Sequence, residues 1–143
     1  NKWDYSSMGK YFITMCVLNR KISLGKIENK RVILNNVGKV VEECWQDLPK
    51  YYSFIELDEF VVMPDHIHGI IFIKETGFEE VKRNCMLIPK VVKGFKTCVF
   101  YKINKKIWQK SYFDKIIRNE KALKQIRGYI RSNPVNFKNF LQD

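Results

Sequence analysis

The sequence lacks several features that would indicate particular classes of protein. It has no apolar run near the roughly 18 residues that a membrane-spanning helix requires, so we expect no membrane association. It has no Gly-x-x-x-x-Gly-Lys-Ser/Thr loop, which argues against a nucleotide cofactor. No Cys-x-x-Cys pair occurs among its four cysteines, Cys16, Cys44, Cys85 and Cys98. We therefore expect neither disulfides nor a thiolate zinc site, and a reducing, cytoplasmic setting.

Acidic residues are few relative to basic ones. The chain has 26 Lys and Arg against 15 Asp and Glu, a formal net charge of +11. Such an excess attracts phosphate-rich partners, because each neutralised phosphate releases counterions, but ordinary solubility would also account for it. The length of 143 residues and the hydrophobic fraction of 45% are typical of one folded domain, which we assign to residues 1–143.

Hydrophobic periodicity predicts the order β-α-β-β-α-β-α. The strands are expected over 11–18, 54–63, 66–73 and 108–117, and the helices over 34–48, from Pro89 onward, and from Asn119 to before Pro134. Pro49 is expected to end the first helix, 21–33 to form a short hairpin, and 74–84 to be a loop. This order is typical of an α+β, ferredoxin-like split βαβ fold. In this fold an antiparallel sheet has helices on one face, and in this chain we expect an additional C-terminal helix.

The only two histidines are His66 and His68, separated by Ile67. Alternate residues of a strand point to the same face, so both imidazoles are expected at one place while Ile67 enters the core. Two imidazoles that face the same way form half of a metal site. Pairing with carboxylates, or a chance position on the surface, would explain them equally well at this point.

Tyr129 and Asn133 lie four positions apart on the last predicted helix, so their side chains share a face. An amide oxygen there can complete a metal shell, and a phenol can attack a metal-bound phosphate. The alternatives are that Tyr129 edges the apolar stripe and that Asn133 simply precedes Pro134 at the helix end.

Two segments resemble the two signatures of HUH-type single-tyrosine transposases. FVVMPDHIHGIIFI (60–73) resembles their His-hydrophobe-His motif, and IWQKSYFDKIIRNEKALKQIRGYIRSNPVNF (107–137) resembles the tyrosine signature. Together they are similar to the REP-associated tyrosine transposases and to the related IS200-like insertion-sequence transposases. The likeness extends over nearly the whole chain, from Tyr11 to about Phe140.

The resemblance implies a function and a set of site residues. His66 and His68 would ligate a divalent metal, Mg²⁺ or Mn²⁺, with Asn133 as third ligand. Tyr129 would cleave single-stranded or hairpin DNA, leaving a 5′-phosphotyrosine and a free 3′-OH that allow rejoining. The protein would be prokaryotic, nucleoid-associated when on DNA, and a possible homodimer. We expect each active site to be built within one chain.

Basic and aromatic residues near these motifs are candidates for DNA binding. They are Lys90, Lys93, Lys96, Arg118, Arg127, Arg131 and Trp108, with Tyr112 and Phe113 as further stacking candidates. Solvated helix faces and a half-buried strand would explain the same residues. The alternative function is a non-catalytic domain that binds single-stranded nucleic acid.

Overall fold

The structure is a computed structural model that describes residues 9–74 and 81–135, with side chains in the second range from position 87 onward. Its strands are β1 Lys10–Cys16, β2 Gly25–Glu28, β3 Arg31–Leu34, β4 Ile55–Val62, β5 His66–Ile73 and β6 Phe113–Ile117. Its helices are α1 Asn36–Gln46, α2 Leu48–Tyr51, α3 Val81–Ile103 and α4 Glu120–Ser132. No helix in the described ranges has the length and apolar character to cross a membrane.

Four strands form one antiparallel sheet in the order β4-β5-β1-β6, and β2 and β3 form a separate hairpin. The β1–β5 register pairs Thr14 with His68 and Cys16 with His66. The β2–β3 loop is the two residues Asn29 and Lys30, both with positive φ, as a tight hairpin turn requires. The predicted α+β class, the antiparallel sheet and the hairpin are confirmed.

The two faces of the sheet bury different helices. Tyr11, Ile13 and Met15 alternate along β1 and pack in the main core with residues of α1 and α3, such as Trp45 and Phe95. A smaller cluster on the other face joins the sheet to α4 through Ile70, Ile117, Leu123 and Ile130. Because helices cover both faces, β5 is buried almost throughout its length.

Three sequence predictions are corrected around prolines and loops. Pro49 lies in the first turn of α2, where its missing N–H costs nothing, and α1 already ends at Gln46. Pro89 lies inside α3, which begins at Val81, so it does not begin the helix and 81–84 is not a loop. Burial of Ile88 and Phe95 against the sheet outweighs the one helix hydrogen bond that proline removes.

The last predicted strand is also shorter than expected. Trp108 makes only an isolated bridge with Val17, and the regular ladder begins at Phe113. The Gln109 side chain donates to the Val17 carbonyl, and its backbone N–H donates to the Cys16 carbonyl. These bonds fasten the segment to the end of β1 without continuing the ladder.

A β-bulge in β4 holds the C-terminal helix. The register of β4 on β5 shifts between Leu57 and Phe60, which places two carboxylates toward α4. Arg127 donates from Nε and Nη2 to the two oxygens of Asp58, at 2.8 and 2.6 Å. Arg131 donates to Oε2 of Glu59 at 3.0 and 2.7 Å. Two forked ion pairs therefore fix α4 beside the sheet.

The charge of Asp58 makes the stability of the fold depend on pH in the acid range. The hydrogen bonds from Arg127 hold the pKa of Asp58 at about 2, below its usual value of 3.8. A depressed carboxyl pKa stabilises the fold above about pH 4, and this contribution is lost as pH falls towards 2. We expect Asp58→Asn to lower the free energy of unfolding at pH 7 by about 1–2 kcal/mol, and the difference from wild type to vanish near pH 2. Urea unfolding across this pH range measures it.

The exposed Asp114 on β6 supplies the matched control for that series. Asp114→Asn should follow the wild-type profile within about 0.5 kcal/mol. A constant difference between wild type and Asp58→Asn from pH 7 to pH 2 would contradict the proposed role of the ion pair.

Candidate active site

The two histidines lie side by side at the start of β5, on the face that α4 covers. Their ring centroids are 4.6 Å apart, and their side chains are buried. Ile67, between them, is fully buried in the main core on the opposite face. The tight turn at Pro64 and Asp65 starts the strand at His66, so the His-x-His spacing directs both imidazoles to one place.

Each imidazole has a hydrogen-bond partner on Nδ1. Asp65 Oδ1 lies 2.7 Å from His66 Nδ1, and Thr14 Oγ1 lies 2.7 Å from His68 Nδ1. Since an ionised carboxylate only accepts, Asp65 favours the tautomer of His66 with its proton on Nδ1 and a lone pair on Nε2. The sequence analysis named neither partner. Asp65 had a signal, because it immediately precedes His66, whereas Thr14 becomes a neighbour only through the β1–β5 register.

The C-terminal helix brings Tyr129 and Asn133 to the same place. The Tyr129 ring lies 5.2 Å from the His68 ring and 6.3 Å from the Phe12 ring, between centroids. Tyr129 is 47% exposed, so a substrate can approach this residue from solvent. Asn133 is the C-cap residue of α4 and is buried, with Oδ1 3.3 Å from His66 Nε2. Residues from two distant segments therefore surround one point.

The donor set of this cluster fits a divalent cation. Asn133 Nδ2 donates to the Tyr129 carbonyl at 3.0 Å, which turns the amide oxygen towards His66. In the tautomer that Asp65 favours, His66 Nε2 and Asn133 Oδ1 are two acceptors facing each other across 3.3 Å. Neighbouring ligands of an octahedral ion at about 2.1 Å are separated by about 3 Å. In the described ranges, no group of three His, Cys, Asp or Glu side chains could hold a metal, so a third protein ligand beside the two imidazoles would have to be of another type, such as the Asn133 amide oxygen.

The surroundings of His68 keep its ring neutral. Burial, and then the proximity of His66, lower the pKa of His68 from 6.5 to about 3. Phe12 stacks on the ring with centroids 5.3 Å apart and contributes to this apolar environment. A neutral imidazole is the form that ligates metals, so no proton has to be displaced at neutral pH.

Three of the residues predicted to bind DNA are engaged in contacts within the protein. Arg127 and Arg131 are paired with Asp58 and Glu59, so their charges already have partners. Trp108 is buried in the main core, which corrects its interpretation as a base-stacking residue. Its indole packs against Phe95, with centroids 5.7 Å apart.

The predicted lysines lie on α3, which packs on the other face of the sheet from Tyr129. Lys90 and Lys93 are exposed there, while Lys96 donates to the carbonyls of Gln109 and Lys110. Arg118 is exposed just after β6.

Phe113 is an aromatic side chain that is both exposed and adjacent to the cluster. It is 53% exposed, and its ring lies 6.2 Å from the Phe12 ring, edge to face. Phe12 in turn contacts both His68 and Tyr129. An unpaired base stacked on Phe113 would therefore lie next to the candidate nucleophile.

Comparisons with known proteins identify relatives in sequence and solved structures with a similar fold. No protein-family model matches the chain. A Haemophilus influenzae protein of uncharacterised function is 36% identical over 93% of this chain and 84% of its own length. A second protein of that organism, named "Putative REP-associated tyrosine transposase", is 24% identical over 92% of this chain and 73% of its own length.

Two solved structures have a similar fold. A REP-associated tyrosine transposase bound to a REP hairpin superimposes with a TM-score of 0.61 at 22% identity, over 95% of this chain and 71% of that one. A crystal structure described as a putative transposase from Deinococcus radiodurans superimposes with a TM-score of 0.50 at 19% identity, over 85% and 88% of the two chains. The predicted α+β arrangement with an antiparallel sheet is thus similar to the fold of these proteins.

Proposed function

Because the chain resembles the REP-associated tyrosine transposases in sequence and has their fold, we propose that it is a metal-dependent DNA transposase. It would cleave and rejoin single-stranded DNA near hairpins. The observation that carries this proposal is the convergence of Tyr129 and Asn133 on His66 and His68. Neither the fold nor the net charge alone requires a phenol, two imidazoles and an amide at one place.

The proposed reaction exchanges one phosphate ester for another. The Tyr129 hydroxyl oxygen attacks phosphorus, the P–O3′ bond breaks, the phenol proton passes to water and the departing O3′ takes up a proton. A 5′-phosphotyrosine and a 3′-OH result, and the reverse sequence rejoins a strand without a nucleotide cofactor. A phenol is ordinarily protonated at neutral pH, so the phosphate must be made more electrophilic. A Mg²⁺ or Mn²⁺ ion held by His66, His68 and Asn133 would supply that polarisation.

Other residues of the chain prepare the site for this step. Asp65 and Thr14 fix the orientation of the two imidazoles through their Nδ1 atoms. The ion pairs of α4 with β4 hold the helix that carries Tyr129. Phe113 offers a ring face to an unpaired base beside the site. Each of these residues acts on position and not on the reacting atoms.

Incubation with end-labelled oligonucleotides and Mn²⁺ tests the proposal. The panel contains single-stranded hairpins with flanking unpaired ends, the same sequences without a hairpin, and fully paired duplexes. We expect cleavage in the unpaired flank and none in the duplex, because only an unpaired backbone can bend into the site. Binding without cleavage of any member, at every metal tested, would instead favour the non-catalytic nucleic-acid-binding domain.

Asp65→Asn should weaken metal binding while leaving the ligands in place. The carboxylate accepts from His66 Nδ1 and fixes the orientation and tautomer of the ring, and loss of such a partner typically costs about 10–100-fold in metal affinity. We expect this loss for Mn²⁺ in titration calorimetry, with little change in metal-free melting temperature. Asp47→Asn, between α1 and α2, is the matched control. Equal Mn²⁺ affinity in both variants would refute the orienting role.

Mixing two inactive variants should not restore activity. Tyr129 and Asn133 contact the histidines of their own chain, so we expect each site to be complete within one chain. A His66→Ala chain combined with a Tyr129→Phe chain should therefore stay inactive over a range of concentrations. Recovery of cleavage in the mixture would show that the nucleophile helix serves a partner subunit.

A further inference from the structure

Two cysteines from different helices meet on the face of the sheet away from the active site. Cys44 of α1 and Cys98 of α3 are 54 positions apart in the chain, and their sulfur atoms lie 2.8 Å apart. The sequence predicted no disulfide because its cysteines show no paired spacing. Their proximity comes from the packing of α1 against α3, which the spacing of cysteines along the chain cannot show.

Two cysteines placed together can act as metal ligands or form a disulfide, and the two uses require different sulfur–sulfur distances. Two thiolates that share one zinc ion, each at about 2.3 Å, are about 3.8 Å apart in a tetrahedral site. The bonded distance in a disulfide is about 2.05 Å. At 2.8 Å the sulfurs lie between these two distances. Among the described residues, no further His, Cys, Asp or Glu side chain joins the pair to hold a metal, so the covalent bond is the use that the pair itself can complete.

The two thiols differ in access to solvent. Cys44 is buried, whereas Cys98 is half-buried. Both border a surface cavity of about 550 Å³, whose lining also includes Lys90, Lys93 and Lys102. Burial, and then the hydrogen bond from Cys98, raise the pKa of Cys44 above its usual value, and the exposed edge of the pair belongs to Cys98. An oxidant that enters the cavity therefore meets Cys98 first.

We propose that Cys44 and Cys98 form an oxidisable dithiol, a modification site for small peroxides, and that oxidation links α1 to α3 by a disulfide. A peroxide oxidises the Cys98 thiol to a sulfenic acid and releases one molecule of water or alcohol. The Cys44 sulfur then attacks the Cys98 sulfur. The S–S bond forms, the S–O bond breaks, and the hydroxyl leaves as water with the Cys44 proton. The peroxide gains the two electrons that the two thiols lose.

The link would constrain the part of the chain that contains the active-site histidines. The segment between Cys44 and Cys98 includes β4 and β5, and therefore His66 and His68. Closing a loop of this length restricts the unfolded chain strongly. We expect the melting temperature to rise by about 5–10 °C on oxidation. The inference stands on α1 and α3 and does not depend on the proposed catalytic function.

Hydrogen peroxide treatment of a variant that keeps only this pair tests the proposal. In Cys16→Ser/Cys85→Ser, we expect loss of both thiols, a monomer on a non-reducing gel, and a cross-linked Cys44–Cys98 peptide by mass spectrometry. The rise in melting temperature should reverse with dithiothreitol. When Cys98→Ala is added to this background, peroxide should leave Cys44 reduced and should not change the melting temperature. Circular dichroism verifies that both variants fold, and the same peptide is sought in oxidised wild type.

Three results would overturn the proposal. One is retention of both thiols at peroxide concentrations that oxidise an accessible cysteine. Another is over-oxidation of Cys98 to the sulfonic acid while Cys44 remains a thiol. The third is a disulfide that joins two chains, which would show that the pair does not close within one molecule.

Discussion

Tyr129→Phe is expected to lower DNA cleavage by at least about a thousand-fold, because it removes the oxygen atom that forms the covalent link in the proposed reaction. The phenyl ring keeps the contacts with His68 and Phe12, and the side chain is 47% exposed. We therefore expect binding of hairpin DNA within about twofold of wild type and a melting temperature within about 1 °C. Single-turnover cleavage, a gel-shift assay and thermal unfolding measure the three quantities.

Tyr101→Phe is the matched control for this substitution. Tyr101 is 78% exposed on α3, on the other side of the sheet from the histidines. The same loss of one hydroxyl there should leave cleavage unchanged. Normal cleavage by Tyr129→Phe would contradict the assignment and direct attention to Tyr112, the tyrosine that precedes β6.

The substitutions His66→Ala and His68→Ala are each expected to reduce cleavage by about a thousand-fold or more. Loss of a ligand removes several kcal/mol of charge stabilisation at the phosphate. Wild-type protein should show a rise in melting temperature with Mn²⁺, because metal binds the folded state, and both variants should lose this rise. Chelator on the wild type should reproduce both effects.

Both imidazoles are buried, so alanine at either position leaves a cavity and weakens packing as well as metal binding. Chelator treatment of the wild type removes the metal without changing the packing, and therefore separates the two effects. Assays are therefore run well below the metal-free melting temperature of each variant. Wild-type cleavage that persists in excess chelator, or a variant that still responds to Mn²⁺, would contradict the assigned ligands.

Local patterns predicted the parts of the fold that depend on neighbouring residues. Strand β5 begins at His66 and ends at Ile73, as its apolar run and the preceding turn indicated. Asn119 caps α4 by accepting from the Ala122 N–H, as its position before a helical pattern predicted. Pro134 likewise follows directly after the end of that helix.

Features that depend on tertiary partners were missed or misread. Arg127 was predicted to contact DNA, and the sequence did not show that a bulge in β4 places Asp58 beside it. Trp108 resembled a surface stacking residue because nothing local indicates that α3 covers it. Thr14 becomes a partner of His68 only when β1 and β5 pair. Each of these contacts joins residues that are far apart in the chain.

In the proposed mechanism, one chain uses Tyr129 as a nucleophile beside a metal site formed by His66 and His68. The most direct measurement is mass spectrometry of protein treated with a single-stranded hairpin oligonucleotide and Mn²⁺, digested and mapped for nucleotide-modified peptides. We predict one covalent adduct, on Tyr129, joined to the 5′ phosphate of the cleaved strand and absent with chelator. Cleavage without any adduct, or an adduct on another tyrosine, would contradict it.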